Sequence, residues 1–296
     1  MVNEINPIIQ SPPPLPIAEG QSYSKLAVLG IFLAVLPVLL IWTTLVILSL
    51  PLKCCNLIQK CKGKEQIHFV NALIKEYFSI LSQMVHYPCS KKYHYTAGEG
   101  KPILLVHGYL HNASGWYSLI DRLKAENLGP VYSIDLGDGT LDGKFWSINK
   151  YANQVLRKTE EIAAETGRND LTVIGHSMGG LVAATYAKLA PPNTVTDVYT
   201  IGTPLYGSPL APVLGNGPNA REMVPGSKFL EEVRQGINET ADRIHYRHIG
   251  SRADQLIPAH DDLDVVFDDE GHASLLNSEL VADKLCEWLK SSTDPV

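Results

Sequence analysis

Residues 171–189 limit what this chain can fold into more than any other stretch. Leu171-Thr172-Val173-Ile174 has the apolar content of a buried strand, and it runs directly into Gly175-His176-Ser177-Met178-Gly179 and a helix-forming segment at 181–189. A Gly-x-Ser-x-Gly string between a strand and a helix requires a sharp turn with the serine at its tip. Gly175 and Gly179 carry no side chain, so strand and helix can close on each other. The turn lifts the Ser177 hydroxyl clear of the sheet. It also sets the Met178 amide at a helix N-terminus, where unpaired N–H groups and the helix dipole favour negative charge.

The residues around this turn continue the alternation. Apolar runs at 103–106, 131–136, 195–201, 244–249 and 263–267 predict further strands, and the stretches 114–125, 148–166, 178–189 and 275–289 predict helices. In 148–166, Tyr151, Val155 and Ile162 fall on one side. Fully apolar strands that alternate with helices predict an α/β domain over 101–296, with a mostly parallel, doubly wound sheet covered on both faces. The alternation breaks at 205–236, which is rich in Gly and Pro. An insertion of that length is a candidate cap over a site, or equally a surface excursion with one helix near Phe229, Leu230 and Val233.

The first hundred residues are of another kind. Residues 1–24 form a polar, proline-rich tail that builds no core. From Leu26 to Leu52 there is no charged residue. As a helix that run would span about 40 Å, against a bilayer core of roughly 30 Å. The reading is a retained single-pass membrane anchor at 25–53. Lys53, Lys60, Lys62 and Lys64 follow it, whereas only Lys25 closely precedes it. The positive-inside rule then places the domain that follows on the cytoplasmic side. Residues 54–100 read as a juxtamembrane linker and an amphipathic helix. Phe69, Val70, Leu73, Ile74, Tyr77, Leu81 and Met84 lie at helical spacing; that apolar face could rest on the following domain or on the bilayer surface, and packing on the domain is expected because the polar face is not notably basic. Of five cysteines, Cys54, Cys55 and Cys61 crowd beside the anchor, which is no disulfide framework and fits a reduced compartment. The net charge of −6, with no long basic stretch, argues against nucleic acid as a partner. Nothing in the pattern sets an oligomeric state.

A serine hydroxyl is a poor nucleophile at neutral pH and needs a base, normally a histidine oriented by a carboxylate. On a strand–turn–helix of this kind the partners follow in the order Ser, acid, His. His272, in Glu270-Gly271-His272-Ala273 between the last predicted strand and the last predicted helix, fits the base. His107 and His111 precede the serine, His176 lies inside the turn, His245 and His248 lie in a strand, and His260 follows the acid too closely. Asp254 follows the strand at 244–249 and is the leading acid, ahead of Asp261, Asp262 and Asp264; Asp135 lies upstream. Two backbone donors are needed for an oxyanion. One is the amide of Met178. The other belongs to the loop His107-Gly108-Tyr109, with the Tyr109 amide the first choice and Leu110 the substitute. This chemistry uses no cofactor.

From Pro102 to Leu289 the chain resembles an α/β-hydrolase of the lipase and esterase kind. The pieces that carry the resemblance are Val106-His107-Gly108-Tyr109, Gly175-His176-Ser177-Met178-Gly179-Gly180, Asp254 and Gly271-His272, together with Gly202-Thr203-Pro204-Leu205-Tyr206-Gly207-Ser208. The last is similar to a Gly-Thr-Pro-His-x-Gly-Ser run of bacterial triacylglycerol lipases, with Leu205 in place of the histidine. Those lipases often hold a structural calcium through an aspartate two places after the histidine. Ser274 stands there in this chain, so no such metal is expected. The resemblance implies cleavage of carboxylic esters through an acyl-enzyme, with the anchor pointing to lipid esters (acylglycerol or phospholipid). An acyltransferase with the same three side chains, or a non-catalytic binding protein on this fold, are the alternatives.

Overall fold

A computed structural model of the chain describes residues 64–87, 94–98, 100–213 and 215–292. The tail and anchor expected at 1–24 and 25–53 lie outside them. Among the described residues no helix is long and apolar enough to cross a membrane.

Helix α1 (Lys64–His86) comes first, followed by β1 (Ile103–Val106), α2 (Tyr117–Ala125), β2 (Val131–Ile134), α3 (Ile148–Thr166), β3 (Leu171–His176), α4 (Met178–Leu189) and β4 (Val195–Ile201). Then come α5 (Pro218–Glu222), α6 (Lys228–Thr240), β5 (His245–Ser251), β6 (Val265–Phe267) and α7 (Glu279–Ser291). The six strands form one sheet in the order β2-β1-β3-β4-β5-β6, and every pairing is parallel. Side chains alternate across it as strand geometry demands. Leu104, Val106, Val173 and Val198 pack with Tyr151, Val155 and Ile162 of α3 and Leu181 and Tyr186 of α4. Ile103, Leu105, Ile174, Tyr199 and Ile249 pack on the opposite face with Leu119 and Leu123 of α2 and Leu285 and Leu289 of α7. Apolar runs without alternation are therefore correct for these strands, since both faces are covered.

Helix boundaries follow from caps. The Ser147, Ser227 and Ser278 hydroxyls accept the backbone N–H of Lys150, Leu230 and Val281 at the starts of α3, α6 and α7. Two predicted helices start later than their apolar pattern suggests, because each is preceded by a short 3₁₀ turn: Ala113–Trp116 before α2, and Ser274–Leu276 before α7. The segment 205–236 is rooted in the core. Leu205, Ala211, Met223, Leu230 and Val233 are buried in the same cluster as α3 and α4, and the Arg234 guanidinium donates to the Leu205 carbonyl at 2.6 Å. Cys286 on α7 is a free, buried thiol.

Helix α1 belongs to the same compact unit as the sheet, but it docks by an unexpected face. Its buried positions are Ala72, Ser79 and Gln83, with Glu76 between them, whereas Val70 and Ile74 of the expected apolar face are 45% and 52% exposed. The reason is a set of polar contacts that the apolar spacing could not reveal, described with the site below.

The elbow shows how tightly the fold is packed. A Cβ added at Gly180 would overlap the Thr203 side chain. Gly180→Ala is expected to lose about 1–3 kcal/mol of stability, the usual cost of overpacking. In urea titrations Thr203→Ala should recover part of that loss in the double variant; purely additive losses would contradict this contact.

Candidate active site

Ser177 occupies the tip of the β3–α4 turn with φ 55° and ψ −128°. Such a conformation is strained for a residue with a side chain, and its surroundings enforce it. The Ser177 N–H donates to the Ile201 carbonyl at 2.8 Å. A Cβ on Gly175 would run into the backbone of Gly179 and Gly180, and one on Gly179 into the carbonyl of Val106. Strand β3, strand β1 and helix α4 thus approach at main-chain distance, and the serine takes the only path left.

The structure brings Asp254 and His272 together. Asp254 follows β5, and His272 lies on the loop after β6. Nδ1 of His272 and Oδ2 of Asp254 are 2.8 Å apart. The other carboxylate oxygen accepts the N–H groups of Leu256 and Ile257, each at 2.8 Å. Both side chains are buried. The rival acids are engaged elsewhere. Asp262 accepts from the Tyr206 hydroxyl, Asp264 from the His248 N–H, and Asp135 from the Ala113 N–H; Asp261 is exposed. Gly202 backs onto the pair, since a Cβ there would sit 3.3 Å from Asp254 Oδ2 and 3.4 Å from His272 Nδ1. Ser177 is linked to this pair through its neighbour. Nε2 of His176 donates to the His272 carbonyl at 3.0 Å, and the two rings lie 4.7 Å apart.

The loop after β1 presses on the same turn. A Cβ on Gly108 would lie 2.9 Å from the Ser177 Cβ, so Tyr109 begins one residue from the serine. Leu110 then takes φ 54°, and the His111 N–H closes the turn on the Gly108 carbonyl at 3.3 Å. His107 steadies the loop: its Nδ1–H donates to the Gly108 carbonyl, and its Nε2 accepts the Leu136 N–H, each at 2.8 Å. The Met178 N–H is the first of α4, a position with no partner inside the helix.

Electrostatics separates the histidines. Burial pushes His107 down to about 3 and pushes His176 well below the usual histidine value, with the neighbouring His272 adding to the effect. Both stay neutral. Burial also pulls on His272, but the Asp254 charge and hydrogen bond and the Glu76 charge outweigh it, and its pKa is raised above 6.5.

Glu76 is the residue that sequence reasoning missed. It comes from α1, and its carboxylate accepts the N–H groups of Ala273 and Ser274, each at 2.9 Å. Its contact with Gly271 is close enough that a Cβ there would meet Oε2 at 2.5 Å. Burial raises its pKa, against the pull of the two N–H donors and His272. Gln83, two turns further along α1, joins the two loops of the site. Its Nε2 donates to the Ala273 carbonyl at 3.0 Å, and its Oε1 accepts from Nε2 of His111 at 3.0 Å. Lys75 pairs with Asp269 and Glu270, each at 2.9 Å. The available signal was the polar set 75, 76 and 83 at helical spacing inside an apolar helix. Ser274, two places after His272, donates its hydroxyl to Glu270 and accepts the Gly271 N–H.

The profile of the alpha/beta hydrolase family matches residues 103–237. Over 117 residues the chain is 34% identical to a triacylglycerol lipase of Pseudarthrobacter phenanthrenivorans, a match covering 37% of this chain and 35% of that protein. Over 152 residues it is 28% identical to a pimeloyl-acyl-carrier-protein methyl ester esterase of Vibrio atlanticus, covering 51% of this chain and 54% of that one. The chain therefore spans between about a third and a half of the length of these relatives. Among solved structures, the mature form of the Bacillus licheniformis lipase BlEst2 matches with a TM-score of 0.52 at 16% identity, over 64% of this chain and 92% of that one. That likeness is one of fold.

The charge pair sets a pH signature. A raised histidine pKa stabilises the folded state fully below the unfolded value near 6.5, and the contribution disappears as pH rises through the raised folded value. Asp254→Asn should therefore destabilise the protein more at pH 5.5 than at pH 9, and should lower the His272 titration followed by NMR. Equal destabilisation at both pH values would contradict the pairing. Glu76→Gln is expected to lower the same titration while the Ala273 and Ser274 amides exchange faster with solvent. Unchanged exchange at both amides would show that Glu76 does not hold this loop.

Proposed function

We propose that this chain, whose residues 103–237 match the alpha/beta hydrolase family, is a membrane-anchored serine hydrolase that cleaves carboxylic esters, with lipid esters as the substrate class. The observation that carries this reading is the buried Asp254–His272 hydrogen bond, at 2.8 Å, packed against the turn that holds Ser177.

In this reading Ser177 Oγ attacks the acyl carbonyl while Nε2 of His272 takes its proton. Asp254 keeps the Nδ1–H of His272 directed away from the serine, so that Nε2 carries the lone pair, and stabilises the imidazolium that forms. The oxyanion sits on the amides of Met178 and Tyr109. One such donor contributes about 3–4 kcal/mol to the transition state. Collapse of the intermediate breaks the ester C–O bond, and His272 returns the proton to the departing alcohol. Water then attacks the acyl-enzyme by the same route, releasing the acid and restoring Ser177.

Two features support a lipid ester. The uncharged segment 26–52 holds the domain beside a bilayer, with the following lysines assigning the cytoplasmic side. Large apolar side chains also stand exposed near the loops of the site: Leu110 follows Tyr109 and is 50% exposed, and Leu141 is 77% exposed. The ring of Tyr109 meets that of Phe145 edge-on at 6.3 Å. Apolar surface of this kind suits an acyl chain better than a charged substrate.

Ser177→Ala is expected to lower kcat/KM on a short-chain aryl ester on the order of 10⁶-fold and to abolish labelling by a fluorophosphonate probe. Retained activity in that variant would refute the role of Ser177. Because His272 must be neutral to act as base, the wild-type rate should climb as pH rises through its raised pKa, above 6.5.

A further inference from the structure

Helix α1 wears its polarity inside out. Among its described side chains the exposed ones are Ile67, Val70, Asn71, Ile74, Phe78 and Val85, and none is charged. At 3.6 residues per turn they fall within an arc of roughly 100°. Ala72, Glu76, Ser79 and Gln83 occupy the opposite side and face the protein. Lys75 is likewise tied to Asp269 and Glu270. A helix on a water-facing surface places its charges outward and its apolar stripe inward. Here Ile67 and Phe78 are 62% and 63% exposed, and Val85 is 64% exposed. A charge-free stripe of this length, apolar at every exposed position but Asn71, marks a surface that meets an apolar medium.

We propose that the outer face of α1 lies on the lipid bilayer, sunk among the acyl chains just below the headgroups, while its inner face holds the His272 loop and the loop bearing Tyr109. The proposal rests on the membrane-anchor reading of 26–52. Only the eleven residues 53–63 separate the end of that segment from Lys64, and fully extended they reach at most roughly 40 Å. The start of α1 therefore stays within that distance of the bilayer. Lys53, Lys60, Lys62 and Lys64 punctuate the connection, and such a cluster is drawn to anionic headgroups. A bilayer thus fits both the chemistry of the stripe and the short tether.

The arrangement has a mechanical consequence. Glu76 and Gln83 touch the His272 loop directly, and Gln83 also touches His111 next to the Tyr109 loop. Seating α1 on lipid therefore holds both loops one helix away from the surface that carries a lipid ester.

The test uses the full-length chain in nanodiscs of phosphatidylcholine and phosphatidylglycerol loaded with one copy each. With the face sunk roughly 5–10 Å into the interface, Ile74 and Phe78 should be oxidised by hydroxyl radicals at least about fivefold more slowly than the exposed Leu280, after correction for intrinsic reactivity. Equal oxidation in a chain that resists carbonate extraction overturns the docking face while leaving the anchor. Release by carbonate overturns the anchor reading, and this one with it. Protection only in discs holding two copies identifies a second chain as the occupant and overturns the bilayer. The double variant Ile74→Asp, Phe78→Asp should hydrolyse a vesicle-embedded ester about tenfold more slowly, yet match wild type on a water-soluble aryl ester in detergent. Unchanged turnover of both substrates overturns the coupling; if the variant loses both through misfolding, the wild-type footprint decides. That footprint reads the docking face whether or not the protein cleaves esters.

Discussion

Main-chain proximity around Ser177 is the constraint on which the site depends. Gly179 stands against the carbonyls of Val106 and His107, Gly175 against the start of α4, Gly108 against the serine Cβ, and Gly202 against the Asp254–His272 pair. At the first three of these points a β-carbon would collide with backbone or with the serine side chain, and at Gly202 it would press within 3.3 Å of Asp254 Oδ2 and 3.4 Å of His272 Nδ1. The geometry is therefore set by strands and by the first turn of a helix, which hold position better than loops do. The positive φ of Ser177 costs on the order of 1–3 kcal/mol. The hydrogen bond to Ile201 and the surrounding buried core hold the residue there.

Within that frame, burial and charge divide four imidazoles into two kinds. His107, His111 and His176 are kept neutral mainly by burial, and each spends its ring nitrogens on loop geometry. His107 ties the loop after β1 to Leu136, His111 reaches Gln83, and His176 holds the carbonyl of His272. Of these four, His272 is the one where carboxylates outweigh burial and favour the protonated form, Asp254 by direct contact and Glu76 from across the loop. A second charged imidazole at position 176, whose ring lies 4.7 Å from that of His272, would oppose this preference. The neutrality of His176 is thus part of how His272 is tuned.

The sheet and the elbow were legible because their signals are local. Apolar runs bounded by Gly and Pro mark strands buried on both faces, and glycine spacing marks the turn. The contact between Asp254 and His272, 18 positions apart, was legible from chain order: an acid after one strand, a histidine after the next. Segment 205–236 was only half legible: the amphipathic stretch at Phe229, Leu230 and Val233 was visible, but the Gly and Pro content around it hid that Leu205, Ala211 and Met223 also bind the segment to the core. Helix α1 was misjudged on which face it buries. Its apolar spacing was correct, but spacing alone assumes water on the far side, and the loop amides that pair with Glu76 are nearly two hundred residues away in sequence.

The two faces of α1 differ in the kind of information they carry. Apolar contact is non-directional, so an apolar stripe adheres wherever it finds hydrocarbon and tolerates sliding along the helix axis. The inner contacts tolerate none. A shift of one turn, about 5.4 Å, would carry Glu76 away from the Ala273 and Ser274 amides and leave a buried carboxylate without donors. Losing such partners typically costs about 1–3 kcal/mol for each unsatisfied group, and more when it is charged. Register is therefore set on the polar side and adhesion is available on the apolar side. A helix built in the usual sense, apolar inward, would hold on to the domain but could slip beneath the loop that carries His272. Placing Glu76 and Gln83 inward exchanges part of the apolar burial for a fixed position, at the point where the fold most needs one.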